Sequence, residues 1–333
     1  LNLAEYPHNI IDVVDLSAVA ESAQNADMQN RANKLQTQLN PIKGAMLRVL
    51  LFRLGENRPD KLLIVIHHLS IDWVSWPILI EDITTAYRAL QSGIEISLPL
   101  KTSSFQHWAE QLVDRANSAE HLRELAYWKN IEWTNATILP TDHVPQTDSA
   151  NNTESSACRV DVQLDENETN AFLTTAPQAY RAQANDLLLS AITLAITEWS
   201  GASAALINME GHGREDLFDD IDLSRTTGWF TSLFPVLLTP DATRAPGLTI
   251  KAIKEQLRAM PNRGIGFGLL RYLNESVEAL QVMEKIPAPE IGFNYLGQTD
   301  QHSTNDALLR PALGPTGHQH SPRASRSHAL DIS

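Results

Sequence analysis

Four short segments concentrate side chains that can move protons or hold a polarised carbonyl. His67, His68 and Asp72 stand in the run HHLSID. Histidine is the side chain best matched to proton transfer near neutral pH. The pair closes the apolar run Lys61 to His68, and adjacent side chains on a strand point to opposite faces. Only one of the two histidines can then readily serve a shared site. The second segment, EGHGRE from Glu210 to Glu215, directly follows an apolar run ending at Met209. Its two glycines let the backbone turn sharply and approach a ligand. They leave Glu210 at the end of a strand, a common position for catalytic groups in α/β folds. The third and fourth are RTTGWFT from Arg225 and FNYLGQ from Phe293. Aromatic residues beside glycines can shape a channel floor, and Asn294 and Tyr295 can donate hydrogen bonds to a developing oxyanion. Singly, each segment also fits an ordinary role: a strand end with locally satisfied histidines, a solvated turn, or a buried aromatic strand edge.

The elements that must position these groups are legible in outline. The apolar runs Met46 to Leu54 and Lys61 to His68 flank the turn signal GENRPD and predict a hairpin of buried strands. Helical spacing runs from Ser75, a candidate cap, to Leu90, with Pro77 in the first turn where its missing N–H costs nothing. The first 45 residues are otherwise polar and compatible with helix. Further helices are expected over Ser103–Asn117, Ala119–Lys129, from Asp165, over Asn185–Ser200 and over Thr249–Met260. Strands are expected at CRVDVQL, Ala202–Met209, GWFTSLFPVLL and IGFNYLGQ. Residues 134–157 are rich in Ser, Thr, Asn, Asp and Pro and read as a linker between an N-terminal lobe, 1–133, and a C-terminal lobe, 158–333. The alternation of strands and helices points to an α/β class.

Composition bounds the rest. The chain has 333 residues, which gives a prior of about two domains. Its 26 basic and 40 acidic residues, net −14, argue against nucleic-acid binding. One cysteine cannot form an internal disulfide, which fits a reducing, cytoplasmic setting. No apolar run approaches the ~20 residues of a membrane span, and no signal peptide opens the chain. The absence of an initiator methionine suggests a piece of something longer. GIGFG at 264–268 does not have the spacing of a dinucleotide fingerprint, and His318 and His320 form only a lone HxH, so no metal is expected.

In order and spacing, HHLSIDWVSWPILIEDI, EGHGRE, RTTGWFTSLFP, PNRGIGFGLLRY and FNYLGQ resemble the motif series of epimerization domains of nonribosomal peptide synthetases. HHxxxD alone would be shared with condensation domains and other members of the chloramphenicol-acetyltransferase-like superfamily. The later motifs mark the epimerization branch. The resemblance implies an α/β fold of two chloramphenicol-acetyltransferase-like lobes in a V-shaped pseudodimer, with an active-site tunnel between them. It implies inversion of the α-carbon of an aminoacyl or peptidyl thioester held on the 4'-phosphopantetheine of a carrier domain, with no intrinsic cofactor. Partners would be that carrier domain, an adenylation domain and a downstream condensation domain. Carried over by position, His68 and Glu210 are the catalytic acid–base groups. Asp72 orients the histidine loop beside His67, Arg214 holds its own loop by ion pairing, and Asn294 and Tyr295 line the site. Trp73 and Pro77 stand where the family commonly has glycine and arginine. The opening and closing segments of the family are not found, so the chain reads as the middle of a longer domain.

The chemistry agrees with that reading. Epimerization removes an α-proton and returns one to the other face of a planar enolate, so two groups on opposite sides serve it most directly. A glutamate that delivers a proton near neutral pH is expected to be buried, which raises its pKa. The rivals are a condensation-type domain, which shares the histidine motif, and an inactive carrier-docking module. Arg263 and Arg271, flanking the glycine-rich segment, are candidates for a local basic patch toward an acidic carrier.

Overall fold

The computed structural model describes residues 10–56, 58–142, 152–297 and 308–333. The chain divides into two compact units: residues 1–102, 224–229 and 298–324 form the first, and 103–223, 230–297 and 325–333 the second. This partition differs from the one drawn from composition. The helices after Ser103 pack with the second unit, and the expected linker is in part structural. Leu139 is buried in the second unit's core and Thr137 Oγ1 donates to the carbonyl of Ala204. Residues 143–151 of that segment lie outside the described residues.

In the first unit, β1 (Ile11–Asp15), α1 (Glu21–Gln36), β2 (Leu47–Arg53) and β3 (Lys61–Ile66) precede the long helix α2 (Ser75–Gln91). The sheet order is β1-β2-β3. β2 and β3 form the expected antiparallel hairpin, Leu47 opposite Ile66. β1 lies parallel to β2, with α1 as the crossover. The polar N-terminal stretch therefore holds a strand as well as a helix. IDVVD is an edge strand with Ile11 and Val13 exposed, which conceals it among polar residues. α1 buries Gln24, Met28, Ala32 and Leu35, one face at helical spacing. Met28 and Leu35 pack with Leu16, Leu50, Phe52 and Val65, each large side chain contributing about 1.5–3 kcal/mol by leaving water.

The second unit begins with α3 (Phe105–Ala116), α4 (Ala119–Leu122) and α5 (Leu125–Lys129). Ser104 and Ser118 accept from His107 N and His121 N and cap the first two. The expected helix from Ala119 to Lys129 is thus two short ones. After α6 (Glu166–Asn170) and α7 (Ala176–Tyr180) comes α8 (Ala184–Ser200), ended by Gly201 at φ 72°. Then follow β4 (Ala205–Gly211), β5 (Ser232–Leu238), α9 (Pro246–Arg258), α10 (Ile265–Gly268), α11 (Val277–Met283), β6 (Ile291–Phe293) and β7 (Leu330–Ile332). The sheet order is β5-β4-β6-β7, with β4 antiparallel to β5 and parallel to β6. Trp128, Leu189, Ile207, Leu238, Ile253, Leu270 and Ile291 fill its core.

One expected strand fails. CRVDVQL alternates as a half-buried strand should, yet it joins neither sheet among the described residues. Val160 and Val162 are 85% and 88% exposed. Alternation marks a segment able to pair, and pairing also needs a neighbouring strand. Among the described residues no helix is long and apolar enough to cross a membrane.

Candidate functional site

The histidine motif belongs to the first unit. β3 ends at Ile66, one residue before the pair, so the two histidines are not strand residues. His67 is extended and His68 opens a 3₁₀ turn to Ser70. The expected divergence of the rings survives by another route. His67 Nδ1 accepts from Leu69 N at 3.2 Å and stays with its own turn, while His68 is exposed and meets the indole of Trp229, ring centroids 5.2 Å apart. Asp72 is 3% exposed. Its Oδ1 accepts from Ser75 N at 2.8 Å and from Ser75 Oγ at 2.6 Å, so Asp72 ties down the start of α2. Ser75 is not the cap expected: Val74 stands in that position, and Ser75 is the first helical residue, fully buried, with its N–H held by Asp72.

Ser75 Oγ also accepts from Gly228 N at 3.2 Å. The RTTGW half of the third motif is thereby seated on the start of α2, which carries Trp229 to His68. Arg225 fastens the same segment. Its Nη1 donates to Glu81 Oε2 at 2.7 Å and its Nη2 to Asp82 Oδ1. The hydrogen bond to Glu81 raises the guanidinium pKa above its ordinary value. Sequence reasoning missed Trp229 as a neighbour of His68, because 161 residues separate them (229 minus 68). The acidic pair Glu81-Asp82 on α2 was the available signal for a basic partner.

The glutamate motif belongs to the second unit. Met209 pairs with Phe293 in the parallel ladder of β4 and β6, which sets Glu210 beside Asn294 one step further on. Asn294 Nδ2 donates to Glu210 Oε2 at 2.6 Å, a short, charge-assisted bond that joins EGHGRE to FNYLG. Asn294 is itself fixed by its backbone N–H, which donates to Ile332 O on β7 at 3.0 Å. Tyr295 follows it, 36% exposed. Gln298, the last residue of that motif, lies outside the described residues. The expected burial of Glu210 is not found: its side chain is exposed at the strand end.

Beyond Glu210 the loop is rigidly built. Gly213 has φ 66°, and a Cβ there would stand 1.6 Å from Phe230 O, so only glycine fits. Arg214 Nη1 donates to Leu223 O at 3.0 Å and its guanidinium lies 3.9 Å over the Phe230 ring. Glu215, absent from the sequence assignment, is 13% exposed and pairs with His212 and Arg263, each at 3.4 Å. Arg271 donates to Met283 O at 2.8 Å. Among the described residues no group of three or more His, Cys, Asp or Glu side chains could hold a metal ion.

Residues 2–333 match the family model described as condensation domain. The chain belongs to the condensation-domain family. Within it, the chain superposes on the epimerization domain from the third module of tyrocidine synthetase B with a TM-score of 0.85 and 38% identity, covering 97% of this chain and 70% of that one. A linear gramicidin synthase of Brevibacillus parabrevis is 42% identical over 97% of the chain, and a surfactin synthase of Bacillus subtilis 38% identical over 95%. The condensation-family chain spans only 6% and 9% of the length of those two relatives. The first condensation domain of the calcium-dependent antibiotic synthetase shares the fold at 19% identity and a TM-score of 0.53.

Proposed function

We propose that the chain is an epimerization domain that inverts the α-carbon of an aminoacyl or peptidyl thioester. The thioester is carried on the 4'-phosphopantetheine of a carrier domain in the same cytoplasmic synthetase. The observation that carries this reading is the bond from Asn294 to Glu210. It makes one chemical unit of two of the motifs that separate epimerization from condensation in the resemblance. The 38% identity to a solved epimerization domain supports it.

In the proposed step one of His68 and Glu210 takes the α-proton. The C–H electron pair moves into the thioester carbonyl and gives an enolate. The other group, protonated beforehand, returns a proton to the opposite face, and solvent restores both groups. A thioester eases this, since its enolate is more accessible than that of an amide. Asn294 and Tyr295 are the candidate donors toward the enolate oxygen. Exposed in the free protein, Glu210 is oriented by Asn294 and open to substrate. Adenylation and condensation domains would stand on either side, loading the carrier and consuming the product.

The test loads the carrier with an L-aminoacyl pantetheine in deuterium oxide and follows Cα exchange and chirality. Exchange with a mixed L/D thioester is expected, lost in His68→Ala and Glu210→Ala. Peptide-bond formation without exchange would establish condensation instead.

A further inference from the structure

PNRGIGFG is a motif to which the proposed chemistry gives no task. Its most unusual property is its backbone. Asn262, Arg263 and Gly264 follow one another at φ 44°, 52° and 85°. Glycine adopts this region freely and asparagine tolerates it, whereas arginine is strained there. Such strain persists only where the surroundings impose it, and it gathers at functional sites.

The surroundings here are specific. Asn262 Nδ2 donates to Glu124 Oε1 at 2.5 Å. That carboxylate lies between α4 and α5, 10% exposed, and His121 Nδ1, wholly buried, is 3.2 Å from the same oxygen. A Cβ on Gly264 would come within 2.5 Å of the Phe234 ring, and one on Gly266 within 2.0 Å of Glu124 Oε2. Phe267 then packs on Trp128, ring centroids 5.1 Å apart. The glycines of the motif let the turn sit down on a buried acid–imidazole pair.

What the turn delivers is Arg263. Its Nη1 lies 3.4 Å from Oε2 of Glu215, whose Oε1 is 3.4 Å from His212 Nε2. A carboxylate as buried as Glu215 needs a cation beside it. Arg263 is 77% exposed, so side-chain packing does not aim it. The left-handed backbone does.

We propose that the PNRG turn is a strained clasp on the EGHGRE loop. Asn262 is a positioning residue: its left-handed φ, rather than its side-chain bond, brings Arg263 to Glu215 and so fixes the loop that follows Glu210. The inference rests on the reading of Glu210 as a proton-transfer group. It also takes Arg263 out of the basic patch considered for a carrier, because its charge is engaged within the unit.

The test compares Asn262→Val, which resists φ near +44°, with Asn262→Gly, which accepts that φ without the side-chain bond. Arg263→Ala and Arg263→Lys accompany them. Asn262→Val is expected to lower kcat for α-proton exchange about ten- to a hundredfold, with KM for the loaded carrier held within about twofold. Asn262→Gly should stay within about threefold of the parent, and Arg263→Lys should recover most of what Arg263→Ala loses. Independently of turnover, the His212 ring resonances should move the same way in Asn262→Val and Arg263→Ala and stay in place in Asn262→Gly. Equal behaviour of the two Asn262 variants, or unmoved His212 resonances in Arg263→Ala, would overturn the clasp. Arg263→Ala decides the matter by itself should Asn262→Val fail to fold. A parent protein without any α-exchange would instead sink the epimerase reading, and the resonances would still judge the clasp.

Discussion

Removing the Asn294 side chain probes the candidate site with little disturbance of the fold. The bond to Glu210 is 2.6 Å and charge-assisted, a class worth roughly 1.5–3 kcal/mol. Glu210 is exposed, and water competes for its carboxylate, so about 1–1.5 kcal/mol is the reasonable share. If that bond holds the carboxylate for proton transfer, Asn294→Ala lowers kcat for α-exchange about 5- to 13-fold, at 1.36 kcal/mol per factor of ten. Stability should fall by no more than that same ~1–1.5 kcal/mol, because β6 is held to β7 through backbone groups that the substitution leaves alone. Asn294→Asp goes further and sets a second carboxylate against the first. Like charges disfavour ionisation, so the apparent pKa of the pair rises. Whichever limb of the pH–rate profile Glu210 governs must then move to higher pH. As a base it becomes available later; as an acid it keeps its proton longer. Stopped exchange in deuterium oxide across about pH 5.5–9 (a window of about 3.5 units around neutrality) reads both variants. Wild-type kcat in Asn294→Ala, together with an unmoved or downward-moving profile in Asn294→Asp, would refute the role given to this bond.

Two further outcomes follow from contacts of the same kind. Ser75→Ala leaves Gly228 N without its 3.2 Å acceptor and weakens the hold on buried Asp72, so chemical denaturation should show a loss of about 2–3 kcal/mol. The His68 resonances should shift in that variant as Trp229 loosens. Burial raises the Tyr127 phenol pKa above its ordinary value of 10.0. The stability this group contributes is present below the unfolded value and is lost as pH rises through the folded one, so urea midpoints should fall above pH ~10. Tyr127→Phe should lack that alkaline loss, and an identical loss in both proteins would assign it elsewhere.

How far the sequence reached depended on the range of the forces involved. The hairpin around GENRPD and the helix ended by Gly201 were legible because local patterning and turn chemistry decide them. β1 and β7 were not. They have five and three residues, and their pairing is parallel, settled by partners distant in the chain. CRVDVQL shows the converse, a period-two pattern with no ladder among the described residues. At the site, the chemical types were readable from HHLSID, EGHGRE and FNYLGQ. Their local partners were not: whether Asp72 or Ser75 secures α2 turns on side-chain reach, and both residues suit the task by type. The exposure of Glu210 ran against expectation because a residue near a strand's C-terminal end can face either the core or solvent.

The RTTGWFT segment explains why a motif can stay contiguous while its contacts do not. Its first half, through Trp229, is fastened to the first unit by Arg225 on Glu81 and Asp82, by Thr226 Oγ1 at 3.0 Å from Thr102 Oγ1, and by Gly228 on Ser75. The next residue, Phe230, is buried in the second unit, against the Trp108 and Phe105 rings and beneath Arg214. Two adjacent aromatic residues thus serve different units of the chain: one touches His68, the other braces the loop after Glu210. A substitution in either half should therefore reach a different one of the two proposed acid–base groups. Trp229→Leu should disturb the His68 ring signals and spare those of His212, and Phe230→Leu the reverse. A motif that acted only as a general structural girder would move both sets together.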